Sequence, residues 1–428
     1  MANNNSYIEC PVKPPTSLQR SLFVPNKLLV GPGPSNCPPK VLNAASRQML
    51  GHLDEDFLKI MDDVKIGIQY AFQTKNRMTF AVSGTGHCAM ETAICNILEP
   101  GEKFLVTSPG IWGNRALEIG SRIGAKCYQM NISSEDVVQL SDLKKAIETF
   151  KPHVVFICHG DSSTGTLQPL PDITSFLKGL NCIIIVDSVA SLGAAPLFMD
   201  KWDIDILYSG SQKILNAPPG LSPISFSPKA VKKLKSRKIP VTSFYMDALL
   251  IGNYWGCDDE PRKYHHTAPI NLVYALREAL AILAAETLEK CWERHKTCAK
   301  KLWKNLEDMD LVLYVPKEVH RLPSVTTVNI PINCNGTALP LCLRKSSTCL
   351  RSCLVCLIEN PPTLYIININ ETLKTNKFAI DIAGGLGQTA GKVWRIGLMG
   401  CNCSAENVSK VTDALRECLD GNFVKSSL

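Results

Sequence analysis

The sequence lacks several features that would place it in other classes of protein. No apolar run in its 428 residues reaches the roughly 20 residues that a helix needs to cross a bilayer. Residues 1–27 are polar and rich in Asn and Pro, without the apolar core of a secretory signal or an Arg-rich amphipathic pattern. We therefore expect no membrane contact, and an N-terminal arm at 1–27 that lies on the surface or across a partner subunit.

Aromatic residues are absent from the main basic run of the chain, although the net charge is +7. That run consists of Lys232, Lys233, Lys235, Arg237 and Lys238. Nucleic-acid sites usually combine clustered basic residues with aromatic residues that stack on bases. The run therefore favours a solvated helix face over a nucleic-acid surface, and we expect no nucleic-acid partner.

The 18 cysteines lack the paired clusters that are typical of structural zinc sites. Cys349, Cys353 and Cys356 lie close together, but no second ligand cluster matches them, so we expect no metal. Because no secretory signal precedes the chain, reduced thiols are the expected state.

Apolar segments of strand length alternate with helical segments between residues 103 and 225. This alternation predicts an α/β large domain, at 28–290, with a mostly parallel sheet flanked by helices. A long helical stretch at about 269–306 leads into a smaller α+β C-terminal domain, at 291–428. The strands expected there are 311–315, 325–330 and 393–396, with a helix at 405–419.

One segment, at about 332–377, has neither helical nor strand periodicity and is rich in cysteine. A structureless run of this length is unusual inside a compact domain. It is either an insertion or coding sequence wrongly joined to non-coding sequence.

Asp187 and Lys213 each follow a buried strand of the predicted sheet. Each alone is compatible with a solvated strand-end acid or a surface lysine. Ligands of such sheets bind at the carboxyl ends of the strands, however, and other candidate groups follow strands at the same edge. These are the glycine-rich turn Thr85-Gly86-His87 at a helix N-terminus, which is a potential anion site, with Trp112 and Ser162. A lysine, an acid and an anion site in one pocket are what a pyridoxal phosphate enzyme needs.

Eight stretches carry a resemblance to a known family: GPGPSN at 31–36, SGTGH at 83–87, GIWG at 110–113, HGDSSTG at 159–165, VDSVASL at 186–192, SGSQK at 209–213, NYWGC at 253–257 and YHHT at 264–267. With them the chain resembles the alanine–glyoxylate (serine–pyruvate) aminotransferases, which are class V, fold-type I pyridoxal phosphate enzymes. The resemblance covers about 22–330 and resumes at 382. It implies a homodimer in which each active site is completed by the neighbouring subunit.

The resemblance implies a role for each site residue. Lys213 would form the Schiff base with pyridoxal 5′-phosphate and act as general base and acid, and Asp187 would pair with the ring nitrogen. Trp112 would stack on the ring and Ser162 would bind the ring hydroxyl. The phosphate would be held by Thr85, Gly86, His87 and Gln212, together with Tyr264 and Thr267 of the partner subunit. The substrate residues would be Gly31, Gly51, His52 and Arg395, with Arg395 clamping the substrate carboxylate.

Three of these residues also have plain structural interpretations. Trp112 could be ordinary core packing, His87 a helix-capping imidazole that never touches cofactor, and Arg395 a strand-end surface ion pair.

The implied reaction converts L-alanine and glyoxylate to pyruvate and glycine, with serine–pyruvate transamination also possible. Gly51-His52 stands where relatives acting on 3-hydroxykynurenine carry Ser-Asn, which favours small substrates. The alternatives are 3-hydroxykynurenine transamination, or an isoform that binds cofactor but is impaired because the 332–377 segment disturbs the position of Arg395. Cysteine desulfuration would need a mobile-loop cysteine, and none is recognisable.

The C-terminal Ser426-Ser427-Leu428 differs from a Ser-Lys-Leu peroxisomal address at its central residue. A receptor-recognised address and a frayed tail are both compatible with it. We expect a peroxisomal location in the first case and a cytoplasmic one otherwise.

Overall fold

The computed structural model describes residues 11–331 and 378–423. The 332–377 segment and the C-terminal tripeptide, on which two of the sequence predictions rest, lie outside the described residues. The α-helices are α1 (Pro39–Ala45), α2 (Glu55–Phe72), α3 (Gly86–Ile97), α4 (Ile111–Ile123), α5 (Leu140–Phe150), α6 (Pro171–Lys178), α7 (Pro228–Lys235), α8 (Ala248–Tyr254), α9 (Ile270–Glu286), α10 (Leu288–Glu307) and α11 (Ala405–Phe423). Short 3-10 helices occur at Thr16–Gln19, Glu318–His320, Gly387–Thr389 and Gly400–Asn402.

The strands form one large sheet and three small ones. They are β1 (Leu28–Leu29), β2 (Met78–Ser83), β3 (Lys103–Val106), β4 (Lys126–Gln129), β5 (Val154–Cys158), β6 (Gly160–Asp161), β7 (Thr166–Leu167), β8 (Ile183–Asp187), β9 (Ile206–Tyr208), β10 (Leu221–Phe226), β11 (Val325–Asn329), β12 (Ile380–Asp381), β13 (Ala383–Gly384) and β14 (Val393–Gly397).

The large sheet has the strand order β2-β10-β9-β8-β5-β3-β4, in which β10 runs antiparallel to both of its neighbours. The other strand pairs of this sheet are parallel. Every residue of β5 and β8 is buried, as expected for strands covered by helices on both faces. The predicted α/β architecture is confirmed.

Two hydrophobic clusters divide the described residues. The first surrounds the large sheet and includes the buried faces of α2, α3 and α9. The second lies between α10, α11 and the sheet β11-β14-β13, and includes Trp394 and Val30. Val30 follows β1, which pairs with β12. The N-terminal part of the described chain therefore packs with the C-terminal elements of the second cluster. The domain limits at 28, 290 and 291 stay predictions.

Two predicted elements differ from the structure. The stretch 269–306 is two helices rather than one, because Thr287 adopts a φ of 73° between α9 and α10, and its side chain caps α10. No Gly or Pro marks this break in the sequence. The strand predicted at 311–315 is wrong: Leu311, Leu313 and Val315 face inward, but only Leu313 forms a bridge to β11, at Val328. Pro316 then removes the backbone donor that a longer ladder needs.

Three residues of the basic run lie on α7, where Lys233 forms an ion pair with Glu102 at 2.6 Å. Among the described helices, none is long and apolar enough to cross a membrane.

Candidate active site

A cavity of about 160 Å³ opens at the carboxyl ends of the large sheet's strands. It receives residues from the loops that follow β2, β3, β5, β8 and β9. Eight of the ten predicted cofactor residues line it: Thr85, Gly86, His87, Trp112, Ser162, Asp187, Gln212 and Lys213. The remaining lining residues are Met90, Gly160, Val189 and Ala190. The sheet thus brings together residues that are up to 128 positions apart in sequence (213 − 85).

Lys213 has its amine inside the protein, with 8% of the residue exposed. Burial and, to a smaller extent, the charge of Arg395 lower its pKa to about 8, while the charge of Asp187 opposes the shift. The amine donates a hydrogen bond to the carbonyl oxygen of Pro32. A substantial fraction of this lysine is therefore neutral near pH 8, where an ordinary lysine is almost entirely protonated.

Asp187 ends β8 and is 3% exposed. Its Oδ2 accepts the hydroxyl proton of Tyr208 at 2.6 Å, and its Oδ1 accepts the backbone N–H of Val189 at 2.8 Å. Burial raises the pKa of the carboxyl to about 6, while these two hydrogen bonds oppose the shift. At pH 7 the group is mostly an anion that is desolvated and held in one orientation.

The N-terminus of α3 also lines the cavity. Thr85 occupies the position before the helix without using its side chain as a cap, and Gly86 and His87 form the first turn. The unpaired N–H groups of a helix start, together with the helix dipole, favour an anion. Gln212 adds an amide whose oxygen is buried without a hydrogen-bond partner among the residues that the structure describes. Rotation of that amide presents two N–H donors instead.

Trp112 and Ser162 line the same cavity and contact each other. The indole Nε1 donates to Ser162 Oγ at 3.1 Å, and the His87 ring lies edge-on to Trp112 with centroids 5.4 Å apart. Trp112 also packs against the first hydrophobic cluster, so it serves both core and cavity. Partial burial lowers the pKa of His87, and the charge of the nearby Arg115 lowers it as well.

Arg395 extends from β14 toward the same region and is 7% exposed. Its Nε donates to the Gly384 carbonyl at 2.6 Å and its Nη1 donates to the Ser162 carbonyl at 3.0 Å. Burial lowers its pKa to about 10, and the charge of Asp161 opposes the shift. Its burial rules out the interpretation as a surface ion pair. Gly31 lies beside the same strand, since a Cβ on Gly397 would stand 1.9 Å from the Gly31 carbonyl oxygen.

Six predicted site residues do not line the cavity of their own chain: Arg395 and Gly31, described above, and Gly51, His52, Tyr264 and Thr267. The His52 and Tyr264 rings are 4.9 Å apart, and the Tyr264 hydroxyl is 3.3 Å from Thr267 Oγ1. Tyr264 is 57% exposed. His52, Tyr264 and Thr267 therefore form one group outside this cavity.

Two residues next to the predicted ones were missed. Tyr208 ends β9, next to Asp187 at the end of β8, and the need of a buried Tyr hydroxyl for a partner is the signal that could have indicated it. Gly33 belongs to the GPGPSN stretch at 31–36. It has a φ of 107°, and a Cβ there would stand 2.4 Å from Lys213 Nζ, so only glycine leaves room for the lysine.

The aminotransferase class-V family profile matches residues 28–411. The chain is 47% identical to the alanine–glyoxylate aminotransferase of Oryctolagus cuniculus, over 95% of this chain and 96% of the relative. It is 40% identical to that of Drosophila melanogaster, over 96% and 97% of the two chains. The crystal structure of an alanine–glyoxylate aminotransferase from Nostoc sp. superposes with a TM-score of 0.84 at 39% identity, covering 95% of this chain and all (100%) of that one.

The chain belongs to the aminotransferase class-V family. Enzymes of this family depend on pyridoxal phosphate, and the resemblance inferred from the eight sequence stretches is confirmed.

The cavity of this class-V aminotransferase fits that cofactor on its own geometry. It offers a buried amine for an aldehyde, a fixed carboxylate for a ring nitrogen, and an indole as one wall for a flat ring. The helix start of α3 and the unpaired Gln212 amide suit a phosphate. Each part of pyridoxal phosphate would therefore find a matching partner among the residues of this cavity.

Proposed function

We propose that this enzyme transfers the amino group of L-alanine to glyoxylate, giving pyruvate and glycine, with pyridoxal 5′-phosphate as cofactor. The observation that carries the proposal is the pairing in one cavity of a partly neutral lysine, Lys213, with a fixed and mostly ionised acid, Asp187. The names of the relatives at 40–47% identity support the same substrates.

The bound cofactor would supply an aldehyde that joins amines and a ring that withdraws electrons from the bonds of the attached carbon. Asp187 would face the ring nitrogen, because an ionised carboxylate stabilises a protonated one. Thr85, Gly86, His87 and Gln212 would hold the phosphate, and Trp112 and Ser162 would fix the ring plane.

Lys213 would move the proton of the reaction. Its neutral amine can take the proton from the Cα of the amino acid, and the resulting ammonium can return it. A pKa of about 8 places the amine near the point at which it serves both as base and as acid in neutral solution. The desolvated surroundings and the charge of Arg395 hold the pKa of Lys213 at this lowered value.

Arg395 would bind the carboxylate that alanine and glyoxylate share. Two of its nitrogen atoms donate to carbonyls that fix the guanidinium, and the charge remains available to a carboxylate. Both substrates are small, and the Gly51-His52 pair favours alanine, serine or glyoxylate over an aryl substrate such as 3-hydroxykynurenine.

The enzyme would act as a homodimer. Tyr264 and Thr267 are exposed, close to each other and outside their own cavity, which supports a role at the phosphate of the partner subunit. Gly51 and His52 would meet the substrate from the same surface. A peroxisomal location rests on the C-terminal tripeptide alone and stays a prediction.

The test of the reaction follows the visible absorbance of the purified protein loaded with pyridoxal phosphate. L-Alanine should abolish the band of the lysine-bound cofactor and glyoxylate should restore it, with stoichiometric pyruvate and glycine. A band that does not respond to alanine would refute the transaminase proposal. Recovery of the cycle with 3-hydroxykynurenine as donor would shift the assignment to that substrate.

The test of the shared site mixes two inactive variants, Lys213→Ala and Tyr264→Ala. Each hybrid dimer contains one site with both Lys213 and the partner's Tyr264 intact, so refolding the mixture should restore activity. Absence of any recovery, with hybrids shown to form, would contradict a site built from two subunits.

A further inference from the structure

A tyrosine lies directly beneath the acid of the site. Tyr208 is the last residue of β9, with none of its surface exposed (0%). The parallel register of β8 and β9 places it beside Asp187, which puts both side chains on one face of the sheet. Its hydroxyl donates to Asp187 Oδ2 at 2.6 Å.

This hydrogen bond fixes the orientation of the carboxylate. Val189 N–H donates to Oδ1 and Tyr208 donates to Oδ2, so rotation of the carboxylate would break both bonds. Each carboxylate oxygen accepts more than one donor, so both remain able to bind a further N–H. The Tyr208 backbone is itself held, because its carbonyl accepts both the N–H and the hydroxyl of Ser188.

The hydrogen bond also governs the charge of Asp187. The ionisable groups acting on this carboxyl are Tyr208, Asp161, Lys213 and Cys158. Burial raises the pKa of Tyr208 well above its usual value, as it does for the Cys158 thiol, so both stay neutral. Burial and Asp161 raise the pKa of Asp187, whereas the Tyr208 hydroxyl, the Val189 N–H and Lys213 lower it. Of the three lowering influences, the Tyr208 hydrogen bond is the largest.

We propose that Tyr208 is a positioning residue for the cofactor, which acts through Asp187 by holding that carboxylate in the orientation and the charge state that a protonated ring nitrogen requires. The inference rests on the proposed cofactor role of Asp187. It assigns Tyr208 no contact with the substrate or the reacting atoms.

The test is Tyr208→Phe, which keeps the buried ring and removes only the hydroxyl. The apo-protein is titrated with pyridoxal phosphate at several pH values, and binding is followed by tryptophan fluorescence. We expect the dissociation constant to rise about tenfold at pH 7, since a hydrogen bond to a charged group is lost. The pH below which binding weakens should also move upward by about one unit, because a carboxylate that loses a donor protonates more easily.

Tyr70→Phe is the matched control. The Tyr70 hydroxyl accepts the Leu288 N–H at 3.1 Å, and Tyr70 lies on α2 outside the cavity. This variant loses a partly buried hydroxyl elsewhere in the fold. Its affinity for pyridoxal phosphate, and the pH below which binding weakens, should equal those of the wild type. Equal behaviour of the Tyr208 and Tyr70 variants would overturn the proposal.

Replacement of Tyr208 by 3-fluorotyrosine gives a second measurement that does not depend on the fold of the Phe variant. The fluorinated phenol is a stronger donor, so the pH limit of cofactor binding should move downward. An unchanged limit would also overturn the proposal. Failure of the wild type to bind pyridoxal phosphate would instead refute the proposed function, so the two failures are distinguishable.

Discussion

Two groups of charged side chains in this molecule, one buried and one half-buried, behave in opposite ways. The site group consists of Lys213, Asp187 and Arg395, and the clamp group consists of Arg294 and Glu286. In the clamp group, Arg294 Nε and Nη2 donate to the two Glu286 oxygens at 2.6 and 2.7 Å. Its Nη1 donates to the carbonyls of Gly400 and Cys403 at 2.6 and 2.9 Å, which ties α10 to the loop before α11.

The pKa shifts of the two groups have opposite signs. In the clamp group, burial opposes the charge of Arg294 but the Glu286 hydrogen bonds outweigh it and raise the Arg294 pKa, while Arg294 lowers the pKa of Glu286. In the site group, burial lowers the pKa of Lys213 to about 8, raises that of Asp187 to about 6 and lowers that of Arg395 to about 10. Charges that the fold itself satisfies stabilise it, whereas charges left short of partners identify a place for ligands.

The largest effect is expected for Lys213→Met, which replaces the amine by an apolar chain of similar length. The variant should lose about 10⁴-fold or more in kcat/KM, because both the attachment of cofactor and the proton transfer are removed. The apo-protein should nevertheless be more stable than wild type at pH 7, by on the order of 2 kcal/mol.

The sign of that stability change follows from the lowered pKa of Lys213 in the folded state. The penalty on the folded state is complete below pH 8 and disappears as the pH rises toward 10.5, the ordinary lysine value. Urea unfolding of both apo-proteins at pH 7 and pH 10.5 measures it. A variant that is less stable at pH 7 would contradict a net cost of the buried Lys213 charge to the folded state.

Arg294→Met tests the clamp group, and here the fold should be damaged. We expect a loss of about 3 kcal/mol in the free energy of unfolding, because Glu286 and two carbonyl groups lose their donor. The double variant Arg294→Met with Glu286→Leu should recover part of the loss, since it removes the unpaired acid. A loss below about 0.5 kcal/mol would make Arg294 an ordinary surface ion pair.

The sequence predicted the site better than its surroundings, for a physical reason. Asp187, Lys213 and the turn at Thr85 each follow an apolar strand, and parallel strands bring such ends to one edge whatever lies between them. Arg294 and Glu286 are eight residues apart across the break at Thr287, where no Gly or Pro signals a turn. Likewise the Tyr208–Asp187 bond depends on the register of β8 against β9, which local periodicity does not contain.

Arg395→Lys should reduce activity less than Lys213→Met does, and it should weaken the binding of substrates rather than of cofactor. Lysine keeps the charge but lacks the planar pair of donors that matches a carboxylate. We expect the KM values for L-alanine and glyoxylate to rise about 100-fold, with cofactor affinity changed less than about threefold. Loss of cofactor affinity to the same degree would place Arg395 in the scaffold of the cavity rather than at the substrate.

Asp187→Asn should have the smallest effect on the free energy of unfolding. It allows a comparison with a second buried acid beside the same sheet, Asp205. The folded-state pKa of Asp187, about 6, is above the ordinary value of 3.8, so the penalty on the folded state is absent below pH 3.8 and complete above pH 6. The apo-variant should therefore gain about 1 kcal/mol over wild type at pH 7.5 and nothing at pH 4, while its affinity for pyridoxal phosphate falls. The gain is small because the amide has a single oxygen, so either the Tyr208 hydroxyl or the Val189 N–H loses the oxygen to which it donates.

Asp205→Asn is the matched control, since Asp205 is 4% exposed beside the same sheet. It accepts the Ile184 N–H at 3.0 Å and pairs with Lys229 at 3.1 Å, so its charge is satisfied by the fold. This substitution should destabilise the apo-protein at pH 7.5, measured by urea unfolding. If both Asn variants lost stability at pH 7.5, these two acids would not differ in the way proposed, with the charge of Asp187 costing stability and that of Asp205 contributing to it.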